Sequence, residues 1–178
     1  KIFLDLKFHD IPNTVYKAVK SILQYEIDMF TIHAFGGTEM MKKTLLAVRE
    51  YSYKENISPP KILGVTVLTS IDDVALKELI SFHVCREAIV KNLAVKVKEA
   101  GLDGVVAGAS SIKKIKEICG KDFIVVTPGI RIENTESHDQ NIVVTPHEAF
   151  DLGADYIVIG RAIIHSDSPQ RIITDMIR

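Results

Sequence analysis

Asp5, Lys7 and Asp10 crowd three formal charges into the end of an otherwise apolar run, Phe3-Leu4-Asp5-Leu6-Lys7-Phe8-His9-Asp10. In a strand, residues i and i+2 share a face, so Asp5 and Lys7 are expected to point the same way, with Asp10 where the strand gives way to a loop. A single D-x-K at a strand end is ordinarily a structural ion pair. Two carboxylates flanking one ammonium, however, carry a desolvation cost that a structural role need not incur. They also favour the charged ammonium, which makes Lys7 a poor general base and a plausible proton donor. Fixed positive charge beside fixed negative charge suits a reaction in which an anion forms where a carboxylate leaves.

Three other places carry chemistry-bearing types. Gly160-Arg161 follows the last apolar run. Glycine lets backbone approach an anion, helix N-terminal amides donate, and arginine grips phosphate with two parallel bonds. Residues 129–144 form a polar stretch holding Arg131 and Gln140. Compact domains rarely carry so long a connection unless it is a lid, a binding loop or disordered. Thr69 ends another apolar run and offers a hydroxyl. The histidines lack HExxH and H-x-H spacing, so no metal is expected, and His33 is expected to support a pocket rather than touch a substrate. There is neither a P-loop nor G-x-G-x-x-G, which argues against nucleoside triphosphates and dinucleotides.

The elements that must position these groups alternate along the chain. Strands are expected over 2–7, 29–34, 62–68, 104–108, 123–127 and 156–160, all short and rich in Val, Ile and Phe, as strands buried on both faces are. Between them, Val15, Ala18, Val19, Ile22 and Leu23 follow helical spacing, as do Ile89, Val90, Leu93, Ala94 and Val97, then Ile112, Ile115 and Cys119. Met40 and Met41 share a helix face with Leu45 and Val48 and belong to the core. Thr145-Pro146-His147-Glu148 has the form of a capping box with Pro at the first helical position. Gly101 and Gly153 end helices, each followed two residues later by Asp103 or Asp155 and then a strand. Glu26-Ile27-Asp28 is a weaker copy of that joint.

Six βα units separated by about 20 to 40 residues imply parallel strands with right-handed crossovers. Either an open six-stranded sheet or a (β/α)₈ TIM barrel fits. The chain has 178 residues, and a barrel typically has about 250. We expect one α/β barrel domain over residues 1–178, N-terminally incomplete, with the first two βα units absent and Lys1 opening within the third strand. At the carboxyl ends of such strands ligands bind, and phosphate sites commonly follow strands seven and eight, where Gly160-Arg161 falls.

Composition narrows the classes. Twenty-two Lys and Arg against 23 Asp and Glu, net charge −1, supply no basic field for nucleic acid. No window approaches about 18 consecutive apolar residues, so no membrane span is expected. Two cysteines without CxxC spacing suggest neither a disulfide framework nor a zinc site. A cytoplasmic enzyme is the expectation.

Asp5-x-Lys7-x-x-Asp10-Ile11-Pro12-Asn13-Thr14 closely resembles the active-site signature of the orotidine 5′-phosphate decarboxylase family. The resemblance continues through Val65-Thr66-Val67-Leu68-Thr69-Ser70, Val126-Thr127-Pro128-Gly129-Ile130-Arg131, Asp139-Gln140, Thr145-Pro146 and Tyr156-Ile157-Val158-Ile159-Gly160-Arg161. It implies decarboxylation of orotidine 5′-monophosphate without a cofactor, with Asp5, Lys7 and Asp10 catalytic. It implies substrate contacts from Asp5, Ile11, Thr14 and Thr69, and from Pro128, Arg131 and Gln140 in a loop closing over the phosphate. Gly160 and Arg161 complete the phosphate site. The resemblance further implies a homodimer in which Asp10 enters the neighbouring site. Two alternatives stand beside it. One is the magnesium-dependent sugar-phosphate decarboxylases and aldolases that share D-x-K-x-x-D; the other is a barrel that binds a nucleotide monophosphate without turning it over.

Overall fold

The computed structural model describes residues 1–80, 85–130 and 144–177. In chain order they form β1 (Phe3–Phe8), α1 (Pro12–Ile22), β2 (Met29–His33), α2 (Gly37–Glu55), β3 (Lys61–Val65), α3 (Asp73–Ile80) and α4 (Arg86–Glu99). Then follow β4 (Gly104–Val106), α5 (Ile112–Cys119), β5 (Ile124–Thr127), α6 (Pro146–Asp151), β6 (Tyr156–Ile157), α7 (Arg161–Ile164) and α8 (Pro169–Ile177). The strands make one six-stranded sheet in the order β1-β2-β3-β4-β5-β6, with every pairing parallel. Spatial order that follows chain order without reversal is the winding of a partial (β/α) barrel. A doubly wound sheet reverses its order at a switch point.

The two faces of the sheet bury different partners. Phe30, Ile32, Ile62, Val105 and Val125 pack against the helices, with Val19, Met40, Val97 and Ile115 among those that meet them. On the opposite, inner face a small cluster joins Met29, Leu63 and Val126, with Phe3, Val106 and Ile124 against it. Each helical stripe expected from spacing is on the core side: Val15, Val19 and Leu23; Val90, Leu93, Ala94 and Val97; Ile112, Ile115 and Cys119. Met40, Met41 and Val48 are buried as well. Burial raises the Cys119 thiol above its usual pKa, which leaves it an inert core side chain.

Two strand expectations need correction. The first and last strands are not buried on both faces: Leu6 is 52% exposed and Tyr156 42%. They form the two edges of the sheet, with a single strand neighbour each among the described residues, so only the four inner strands have the double cover that pure apolar runs signal. The strands are also shorter than the apolar runs. Residues 66–68 and 158–160 continue their runs in sequence, but the strands end at Val65 and Ile157.

The repeated joint before the strands has a common geometry. Glu26, Gly101 and Gly153 all take positive φ, at 51°, 85° and 105°. Two residues on, an aspartate clasps the first residues of the preceding strand at two points. Asp28, Asp103 and Asp155 donate their amides to the carbonyls of Ile2, Ile62 and Val125 at 3.0, 3.1 and 2.9 Å. Their carboxylates accept the amides of those same residues at 2.6, 2.7 and 2.7 Å. The capping box is present in full, Thr145 accepting from the Glu148 amide and Glu148 from that of Thr145.

Candidate functional site

The C-terminal end of β1 is where the sheet departs from regularity. Leu4 pairs with Phe30 and Phe8 with Ile32, so four steps along β1 match two along β2. The surplus is taken up at Asp5, Leu6 and Lys7, and Lys7 sits at φ 49°. A left-handed conformation at a long side chain costs on the order of 1 kcal/mol, and such strain gathers where a side chain must be aimed. Here it brings Lys7 Nζ to 2.5 Å from Asp5 Oδ2. Side-chain exposures of 38% and 44% mean that this pair adds about 0–1 kcal/mol to stability. The pair therefore contributes little to holding the fold together.

Thr31, on β2 and fully buried, closes the bulge. It shares the inner face with Met29 by strand alternation. Its Oγ1 accepts the Lys7 amide at 2.9 Å and its hydroxyl donates to Asp5 Oδ1 at 2.8 Å. Beside this network the rings of His9 and His33 stack with centroids 5.1 Å apart. Burial, then the neighbouring His9 and the Lys7 charge, hold the His33 imidazole below its ordinary pKa. His33 Nδ1 accepts the Phe35 amide at 3.4 Å.

Asp10 does not flank Lys7. Its Oδ1 accepts the Ile11 amide at 2.6 Å, on the exposed approach to α1. The expected trio of two carboxylates around one ammonium is thus a pair within this chain. The turn after Phe8 carries Asp10 outward. Ile11, 68% exposed, and Thr14 lie on the same approach; the Ile11 carbonyl accepts from the Thr14 amide at 3.0 Å at the start of α1.

A second feature of the same strand ends is a cavity of about 200 Å³ above β3, β4 and β5. Thr69 and Pro128 line it, as do Gly129, Gly108, Asp72 and Arg86. Arg86 Nε is buried without a hydrogen-bond partner among the described residues, although the Arg86 amide donates to Asp73 Oδ1 at 3.2 Å. Neither Arg86 nor Asp72 was singled out from sequence. Asp72 sits in an ordinary polar turn and Arg86 in a helix whose charges look like any solvated face. Gly160 and Arg161 are exposed at the end of β6, where Gly160 leads into α7 with φ −114° and ψ −87°. Arg131 and Gln140 lie outside the described residues. The two ends of their stretch do meet, for Ile130 and Val144 form a parallel bridge.

The family model described as "Orotidine 5'-phosphate decarboxylase / HUMPS family" matches residues 1–176. The chain belongs to this family. Among its relatives, the orotidine 5′-phosphate decarboxylase of Carboxydothermus hydrogenoformans is 51% identical over 164 residues, 92% of this chain and 68% of that protein. That of Syntrophotalea carbinolica is 45% identical over 180 residues, covering 99% and 73%. The crystal structure of orotidine 5′-phosphate decarboxylase from Lactobacillus acidophilus superposes with a TM-score of 0.86 at 38% identity, over 99% of this chain and 73% of that one. Family membership accounts for the order in which the motifs occur. The D-x-K pair, Thr69, Pro128 and Gly160-Arg161 all fall at carboxyl ends of parallel strands, the rim where the barrel's chemistry is built. Among the described residues, no helix is long and apolar enough to cross a membrane.

Proposed function

We propose that this protein decarboxylates orotidine 5′-monophosphate to uridine 5′-monophosphate without a cofactor. The observation that carries the proposal is the Asp5–Lys7 pair, held at 2.5 Å at a strand mouth of a chain from this family. Departure of the carboxylate leaves a carbanion at pyrimidine C6 that the ring cannot delocalise. A preorganised ammonium meets that charge where it develops. Lys7 stabilises the carbanion and delivers its proton to C6; Asp5 holds Lys7 and crowds the departing carboxylate. Thr69 and Pro128 contact the nucleoside side, Arg161 and Gly160 the phosphate, with Arg131 and Gln140 from the intervening stretch. Ile11 and Thr14 belong with Asp10, which we assign to the site of a second subunit. Its separation from Lys7 within the chain supports that assignment, and with it a homodimer.

The barrel reading extends the same way. Two further βα units closing β6 back to β1 give a single eight-stranded domain. The open edges at β1 and β6 support this closure, as do relatives of which the chain covers 68% and 73%. The activity belongs to the cytoplasm.

Loss of the ultraviolet absorbance of orotidylate, in the presence of EDTA, tests the activity. Turnover that requires added magnesium would move the chain to the sugar-phosphate branch, and nucleotide binding without turnover would make it a binding barrel. Lys7→Ala is expected to abolish decarboxylation while leaving binding of an unreactive nucleotide measurable. Arg161→Ala is expected chiefly to raise KM by about 10- to 100-fold, the scale of a lost charge-assisted pair.

A further inference from the structure

Lys7, Asp5 and Thr31 form a closed ring of hydrogen bonds. The Lys7 amide donates to Thr31 Oγ1 at 2.9 Å, the Thr31 hydroxyl donates to Asp5 Oδ1 at 2.8 Å, and Asp5 Oδ2 accepts from Lys7 Nζ at 2.5 Å. The ring begins and ends on Lys7, and its one member from outside β1 is Thr31. That residue is fully buried on the adjoining strand, whereas both charged side chains are partly open to water. Two exposed ions on a bulged edge strand have many rotamers available. A buried hydroxyl on a regularly paired strand has almost none. Thr31 is therefore the fixed point from which the mobile pair is aimed: it orients the Asp5 carboxylate directly and holds the backbone of Lys7 at its left-handed φ of 49°.

We propose that Thr31 is the positioning residue for the Asp5–Lys7 pair. Its hydroxyl holds the ammonium where the carbanion forms, so it acts on the chemical step without touching substrate. The proposal deepens the decarboxylase reading and rests on it. Val is the informative replacement, for it keeps the branched shape on β2 but can neither accept from Lys7 nor donate to Asp5. Misplacing a reacting group by about 1 Å costs about 100-fold in rate.

In the intact natural protein, Thr31→Val is expected to lower kcat on orotidine 5′-monophosphate by about 10- to 100-fold, with KM within about 3-fold. Thr31→Ser, which restores the hydroxyl, is expected to return kcat to within about 3-fold of the parent. A Val variant with parental kcat overturns the proposal. So does a loss in which kcat and KM worsen together and Ser gives no rescue, because that marks a structural role. Amide exchange at Lys7 reads the ring without any turnover: faster in the Val variant and parental in the Ser variant if Thr31 holds the Lys7 backbone, unchanged in both if it does not. Should the parent protein leave orotidylate untouched, the decarboxylase reading fails by itself, and the exchange measurement still decides whether Thr31 positions the pair.

Discussion

At the amino ends of its strands this sheet uses one device three times, and at the carboxyl ends each strand finishes differently. Below, a left-handed residue, one intervening position and an aspartate clasp the neighbouring strand through both its amide and its carbonyl, at Asp28, Asp103 and Asp155. Each of the three aspartates engages both its amide and its carboxylate there. Above, Lys7 sits strained at positive φ, while Arg86 Nε and Thr127 Oγ1 are buried without hydrogen bonds among the described residues. Both ends hold a left-handed non-glycine residue, Glu26 below and Lys7 above, but the aspartate clasp that ties strand to strand recurs only below. That division lets a parallel barrel vary its chemistry without unfolding.

The sharpest way to break this comparison is to relieve the strain and watch both quantities. Lys7→Gly removes the ammonium and suits φ 49° better than any other residue. Decarboxylation is expected to fall by about 1,000-fold or more, since the group proposed to meet and protonate the carbanion is gone. Stability is expected to hold or rise by about 0.5–1 kcal/mol, as the left-handed penalty disappears. Urea titration beside an activity assay checks both. A marked loss of stability in this variant would mean that the carboxyl end contributes to the fold after all.

The converse change belongs at the other end. Asp155→Ala orphans the amide of Val125, which is fully buried, and takes the carboxylate from Lys116, whose Nζ lies 2.7 Å from Asp155 Oδ2 and keeps the carbonyls of Lys121 and Phe123. Asp103→Ala does the same to the Ile62 amide. Each is expected to cost about 1–3 kcal/mol by denaturant titration, the penalty of a buried donor left unmet. The kcat of the folded protein should stay within about 2-fold. Asp28→Ala is expected to cost less than about 0.5 kcal/mol, because Ile2 is half exposed and water replaces the carboxylate. A large kcat loss in Asp155→Ala would erase the division between the two ends.

The same division decides what was legible in the sequence. The clasp repeats, so Gly101-x-Asp103 and Gly153-x-Asp155 declare themselves, and Glu26-x-Asp28 follows even with Glu where Gly is usual. Helical stripes such as Ile112, Ile115 and Cys119 are periodic and were equally plain. At the carboxyl ends nothing repeats. The D-x-K spacing suggested a regular strand with Asp10 completing a trio, whereas the pair meets through a bulge and Asp10 turns away. Thr31 was invisible because its role depends on register: a threonine in an apolar strand looks like any β-branched filler until Lys7 is opposite it. Arg86 reaches the cavity from a helix more than a dozen residues beyond Thr69, a proximity that only the crossover creates.

The mildest test concerns His33, on the irregular side. Burial, then His9 and Lys7, hold its pKa below the ordinary 6.5. The unfolded chain thus takes up a proton near that pH while the folded chain does not. By linkage, the unfolded state binds more protons throughout the interval between the two values. Stability is full above 6.5 and is lost as pH falls through the folded-state value. Thermal melting followed from pH 8 down to about 5 is expected to decline below the ordinary histidine pKa. His33→Asn should flatten that decline, since Oδ1 can still accept the Phe35 amide but no longer titrates. Asp103→Ala should lower the whole curve and leave its slope there unchanged. Should the slope persist in the Asn variant, the acid sensitivity arises elsewhere, and the stacked histidines beside Lys7 are as neutral to stability as the ion pair they adjoin.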